Sequence, residues 1–234
     1  GYVADKYGTR LFGFFATFFM VSCLFFLGKQ NSILHFYVLY FCFGAFGNAV
    51  VGSPLYANVG FWFKKNPGLA LGITAAGGAA GQGVIPLVST NLIQAYGWQD
   101  AYMYLSFIYL LIMVPFSFLI KESPRRKKAR ITIENELRDF PLSEKEVITW
   151  ISCAVIFCCI CMSVPIVHLI PLLTDASFSE DFAASVFLVL MLFGIVGRII
   201  SGKLGDIIGA LPTYILMSIG QTISVLGFPY IDFK

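Results

Sequence analysis

The sequence predicts an all-α integral membrane protein, and three observations carry that prediction. Of the 234 residues, 58% are hydrophobic and 12% are charged, with a mean hydropathy of +0.80. A soluble domain carries about 25% charged residues and cannot keep this much apolar surface out of water. The apolar residues fall in long runs almost free of charge, near or above the roughly 20 residues that a bilayer-crossing helix needs. Within each run they are continuous rather than alternating, so the pattern of a membrane β-barrel is absent. A cytosolic enzyme, a nucleic-acid binder and a disordered chain are excluded together.

Seven spans follow in order, at 11–28, 34–62, 67–95, 100–120, 147–173, 182–203 and 213–230. The first is rich in phenylalanine and reads as a lipid-facing helix rather than a binding box. The second, with Gly44, Gly47 and Gly52, and the third are longer than a bilayer requires, which implies tilt or projection into the interface. Pro67 suits the first position of the third helix. That helix also holds the small-residue run Gly77-Gly78-Ala79-Ala80-Gly81-Gln82-Gly83, a surface for close helix packing that continues to Pro86. After the fourth span, Lys121 to Glu146 is the only stretch of soluble character. Its basic run Arg125-Arg126-Lys127-Lys128 reads as a solvated linker lying against anionic headgroups. Pro165 and Pro171 should break the fifth span, which is tolerated where a helix lines a cavity. The sixth carries Arg198.

Charge orients the bundle. Segments 1–10, 63–66, 121–146 and 198–206 hold Lys6, Arg10, Lys64, Lys65, Lys121, the linker cations, Arg198 and Lys203, whereas the loops between them hold only Lys29. The positive-inside rule places the first set in the cytoplasm and the chain as a multi-pass protein of the cell membrane. A seven-helix receptor would start outside, and 213–230 lacks the lysine that a retinal protein needs. The net charge of +3 is a matter of topology, so no nucleic-acid partner is implied. All six cysteines lie in apolar runs and act as small hydrophobes, the Cys158-x-x-Cys161 pair included. No metal ligand cluster, cofactor motif or nucleophile–base pair is present, so an enzyme is not expected.

One short motif occurs twice. Gly1-Tyr2-Val3-Ala4-Asp5-Lys6-Tyr7-Gly8-Thr9-Arg10 and Gly202-Lys203-Leu204-Gly205-Asp206-Ile207-Ile208-Gly209 both place Asp four residues after one Gly and three before another. Each lies in a tight inside loop, where glycines permit the turn and the Asp stands at the start of the next helix, favoured by its dipole. Two copies half a protein apart imply two related halves. With this repeat the sequence resembles the major facilitator superfamily of secondary transporters, whose G-x-x-x-D-[KR]-x-G-x-[KR] loop joins helices two and three and recurs more weakly between helices eight and nine. The resemblance implies an internal piece of a twelve-helix protein. It divides into 1–121, the rest of the N-terminal half; 122–146, the central linker; and 147–234, helices seven to nine. In the family this loop stabilises one face of the transport cycle, so Gly1, Asp5, Lys6, Gly8 and Arg10 are conformational candidates, with Gly202, Asp206 and Gly209 in the second copy. There Ile207 replaces the basic residue, which puts a loop salt bridge in doubt.

A second resemblance concerns the branch. Trp62-Phe63-Lys64-Lys65-Asn66-Pro67-Gly68-Leu69-Ala70-Leu71-Gly72-Ile73, then Gly77, Gly81 and Pro86, is similar to the W-F-x-x-[KR]-x-x-L-A-x-G signature of the monocarboxylate/oxalate-formate group. Val167-His168-Leu169-Ile170-Pro171 and Gly197-Arg198-Ile199-Ile200-Ser201-Gly202 resemble that group's seventh- and eighth-helix motifs; Asn66-Pro67 departs from it. The resemblance implies that Arg198 binds a substrate carboxylate. An arginine inside a span faces a cavity or a partner, or else snorkels to the headgroups; Arg198 lies about 24 Å along the axis from Phe182. In proton-coupled members an Asp stands one turn before this arginine, and here that position is Gly194. His168 is then the titratable group left to bind substrate or take up a coupling proton, or it is simply bonded to a carbonyl that a proline frees. Asn48, Tyr56, Asn58 and Gln82 join them as polar candidates for the path. The expected function is transport of a small organic anion, a mono- or dicarboxylate, as symporter or antiporter by alternating access. An exporter of another small molecule, or a non-transporting receptor on the same fold, is the alternative.

Overall fold

The computed structural model describes residues 9–124 and 143–227. Gly1, Asp5, Lys6 and Gly8 of the first motif copy, and the linker's basic run, lie outside the described residues. The helices are α1 (Thr9–Lys29), α2 (Ile33–Cys42), α3 (Ala49–Trp62), α4 (Pro67–Tyr96), α5 (Trp98–Leu119), α6 (Glu144–Asp175), α7 (Glu180–Ile208) and α8 (Ala210–Gly227). A π-helical turn, Phe43–Asn48, joins α2 to α3, so the expected second span is one helical path with an inserted turn. Among the described residues there is no strand. Among the described residues five helices, α4 to α8, have the length and hydropathy to cross a membrane; Gly13–Lys29 and Ile33–Gly47 are shorter apolar stretches.

Local chemistry sets the boundaries. Ser143 and Glu146 form a reciprocal capping box at the start of α6, and Ser179 accepts from the Phe182 N–H at the start of α7. Gly97 (φ 83°) and Gly209 (φ 95°) make the one-residue joints between α4 and α5 and between α7 and α8, a backbone region open to glycine without strain. Asn66 takes φ 59°, and Pro67 follows as the first residue of α4.

Two expectations are corrected. Pro165 and Pro171 do not break α6, which runs unbroken from Glu144 to Asp175. Each proline removes one ladder hydrogen bond, and a 32-residue helix keeps the rest. The second motif copy is not a loop: α7 continues to Ile208, so Gly202 to Asp206 form its last turns and Gly209 alone makes the turn. Lys203 marks where the apolar run ends, whereas a helix ends where its backbone turns.

The described chain forms two units, 9–64 with 88–124 and 65–87 with 143–227. The first 21 residues of α4 thus group with the helices that follow the linker. In the first unit α1 packs antiparallel on α5. Ala16, Met20, Cys23 and Leu27 make its buried stripe at the three- and four-residue spacing of one helix face. Thr17 Oγ1 and Ser117 Oγ are hydrogen-bonded at 3.2 Å, the Phe14 and Phe118 rings meet edge to face at 4.6 Å, and Tyr109 donates to Met20 Sδ. In the second unit α4 buries Gly72, Ala76, Ala79 and Gly83, while α7 buries Ala183, Ala184, Phe187 and Met191.

Candidate functional site

The α4–α7 seam is built from backbone. A Cβ on Gly72 would stand 2.5 Å from the Arg198 carbonyl oxygen, one on Gly68 would stand 2.5 Å from the Gly202 carbonyl oxygen, and one on Gly83 would meet Met191 and Leu188. No larger residue fits at Gly68, Gly72 or Gly202 without moving a main chain, which is how small residues bring membrane helices close. The seam ends on Asp206. Gly68 and Leu69 donate their backbone N–H groups to Asp206 Oδ1 and Oδ2 at 2.7 and 2.8 Å. Two of the unpaired donors of the first turn of α4 are thereby satisfied by a carboxylate placed on the positive end of the helix. Beside them Lys203 Nζ donates to Asn66 Oδ1 at 3.4 Å.

This corrects the sequence reading of Asp206. It serves not the helix that follows it but α4, more than a hundred residues earlier, and it does so without a salt bridge among the described residues. Ile207 in the basic position therefore costs the contact nothing. Gly202 serves the seam itself, and Gly209 the turn into α8.

Arg198 lies at the same seam through its carbonyl, but its half-buried side chain runs the other way. Nη1 lies 2.8 Å from where a Cβ on Gly194 would stand. The guanidinium is folded back one turn toward the N-terminal end of α7, away from Lys203, in the direction that helical side chains lean. Among the described residues it has no hydrogen bond or ion pair. His168 is exposed on α6 between the two prolines, likewise with no such partner among the described residues. No contact joins it to Arg198.

The other candidates are dispersed. Gln82 is exposed on α4, and a Cβ on Gly77 or Gly81 would meet nothing within 4 Å. The close approach is made by Gly68, Gly72 and Gly83 instead, and α4 continues through Pro86. Asn48 ends the π turn; its side chain lies outside the described residues. Arg10 stacks over Phe118, its guanidinium carbon 5.9 Å from the ring centre. Among the described residues no group of three or more His, Cys, Asp or Glu is placed to hold a metal. Cys158 Sγ donates to Gln221 Oε1, and Gln221 Nε2 donates to the Cys158 carbonyl across the α6–α8 contact.

Sequence reasoning missed one structural knot. Asn58, buried on α3, donates to the Lys121 carbonyl at 2.9 Å and accepts from the Ser123 N–H at 3.1 Å, while Trp62 Nε1 also donates to Lys121 O. The beginning of the linker is pinned there. The only signal was a polar residue inside an apolar run, which looks the same as a path-lining residue.

Apolar helices of membrane-crossing length, brought together on glycine, are those of a multi-pass membrane protein. The chain is a member of the Major Facilitator Superfamily, which it matches over residues 1–234. It is 26% identical over 229 residues to an MFS-type transporter of Gibberella moniliformis, covering 97% of this chain and 54% of that protein. It is 27% identical over 140 residues to the riboflavin transporter RibJ of Trypanosoma brucei brucei, covering 59% of this chain and 25% of that protein. It is 26% identical over 218 residues to the fujikurins efflux protein of Gibberella fujikuroi, covering 92% and 46% respectively. The chain thus spans about half the length of the first of these relatives or less of the others. No solved structure matches it.

Proposed function

We propose that the protein containing this chain carries a small organic anion, a mono- or dicarboxylate, across the membrane by alternating access, with Arg198 as the cation that binds it. The observation that carries this reading is the direction of the Arg198 side chain. A snorkelling arginine turns toward the near end of its helix and the headgroups. This one folds onto Gly194, deeper into the span, and has no anion of its own among the described residues. A guanidinium set within a span calls for a counter-charge, and its planar fork matches a carboxylate through two parallel hydrogen bonds. His168 is the proposed second group, binding substrate or taking up a coupling proton, and Asn48 and Gln82 are proposed to line the path. Asp206 on the α4 N-terminus is proposed to hold one state of the cycle. Asp5, Lys6 and Arg10, with Gly1 and Gly8, would do the same work at the first copy, and the basic loops would face the cytoplasm.

The test is uptake of labelled lactate, oxalate and malate by the full-length protein in proteoliposomes, alongside Arg198→Ala and Arg198→Lys. Both variants are expected to be impaired in saturable uptake, with at least a tenfold rise in KM, about the value of one charged hydrogen bond. Unimpaired uptake by both would overturn the role of Arg198. A second reading, export, is favoured by relatives named as efflux proteins, among them the agnestins efflux protein of Paecilomyces divaricatus. Net efflux of an uncharged compound from loaded proteoliposomes, insensitive to Arg198→Ala, would select it.

A further inference from the structure

We infer that Gly194 is a positioning residue for Arg198: its bare backbone is the seat on which the guanidinium lies, and this fixes where along the span the charge is presented. The inference rests on the anion-binding reading above. The glycines of α7 are not alike. Gly202 is pressed against the backbone of Gly68, Gly197 has nothing within 4 Å of a Cβ, and Gly205 has only Thr213 Oγ1, at 4.0 Å. At Gly194 the one atom within reach among the described residues is Arg198 Nη1, at 2.8 Å. No neighbouring helix among the described residues explains a glycine there, and glycine is the poorest helix former after proline. What the missing Cβ leaves room for is the guanidinium.

The geometry follows from helix periodicity. Residues four apart share a face, and a long side chain leans over the turn before it. Any side chain at 194 would occupy the place of Nη1. With glycine the guanidinium can lie against the helix surface, one turn deeper than its own Cα, leaving its outer N–H groups to the ligand. A methyl group at 194 would push the guanidinium outward. Because the displaced atom is the far end of a flexible side chain, the fold would not pay for the shift; the ligand's geometry would. Binding depends on bidentate alignment, so a small displacement is felt in affinity before it is felt in turnover.

The experiment uses the full-length protein in proteoliposomes, with whichever of labelled lactate, oxalate or malate it transports. Gly194→Ala is compared with Gly197→Ala and Arg198→Ala, reading KM, maximal rate and thermal unfolding. Gly194→Ala should raise KM about tenfold, keep the maximal rate within about twofold, and unfold no earlier than wild type, because alanine is the better helix former. Gly197→Ala should leave KM unchanged. If Gly194→Ala leaves KM unchanged while Arg198→Ala abolishes uptake, the seat is overturned and the anion site stands. If Gly194→Ala unfolds earlier than Gly197→Ala, the glycine packs against another helix and the inference is overturned too. If Arg198→Ala transports normally, the anion-binding reading fails and the seat falls with it.

Discussion

The α1–α5 seam and the α4–α7 seam are both antiparallel helix contacts between apolar neighbours, yet they are held in different ways. In α1–α5 the side chains interlock: Met20 receives a hydrogen bond from Tyr109, Thr17 meets Ser117, and Phe14 meets Phe118. Sliding one helix past the other would break all of these at once. In α4–α7 the contact is main chain on main chain at Gly68, Gly72 and Gly202, ended by two hydrogen bonds to a single carboxylate. Smooth surfaces can separate and meet again in one step, and Asp206 concentrates much of the polar cost of separation at one place. Interlocked side chains spread the cost of separating a seam over many contacts, whereas backbone contact with one polar catch concentrates it.

That contrast can be broken at either seam. The largest effect is expected from Gly72→Leu, which drives a branched side chain into the Arg198 carbonyl and should cost about 3 kcal/mol, read as loss of folded protein in detergent. Next is Asp206→Ala, which strips two charge-assisted bonds from the α4 N-terminus. It should shift the balance between the proposed cycle states by about 2 kcal/mol, measured by the accessibility of a cysteine placed at Lys203. Asp206→Asn keeps one acceptor and should lose about half of that. Thr17→Val removes the bond to Ser117 and should cost about 0.6 kcal/mol, with no change in the balance of states; a shift in that balance would erase the distinction between the seams. The smallest effect is expected from Gly77→Ala and Gly81→Ala, within about 0.5 kcal/mol. A cost above 1 kcal/mol there would show that these glycines pack against helices outside this chain.

The spans were legible because a bilayer imposes one rule on every helix, and composition reports it directly. Lys29, Lys64, Lys121 and Lys203 marked where apolar composition ends, and the predicted spans, as far as residue 227, lie on the observed helices. What charge cannot mark is where the backbone turns, and so α7 outlasts Lys203 and α6 passes through two prolines. Arg198 stood out because a charge inside an apolar run is rare. The partner of Asp206 did not, because the motif is local and its acceptor role is completed by N–H groups of Gly68 and Leu69, which carry no side-chain signature. Asn58 was visible as a polar residue, but a knot and a path look identical until Lys121 and Ser123 are brought against it.

The π turn at Phe43–Asn48 has a bearing on comparison between sequences. Such a turn corresponds to one residue more than an α-helix would use over the same rise. Each added residue turns everything after it by about 100°. Any relative whose corresponding helix lacks the turn must be aligned with a one-residue gap near Gly44 or Ala45. An ungapped alignment would shift every later position of α3 by one place and move the match for Asn58 from the buried knot to a different face.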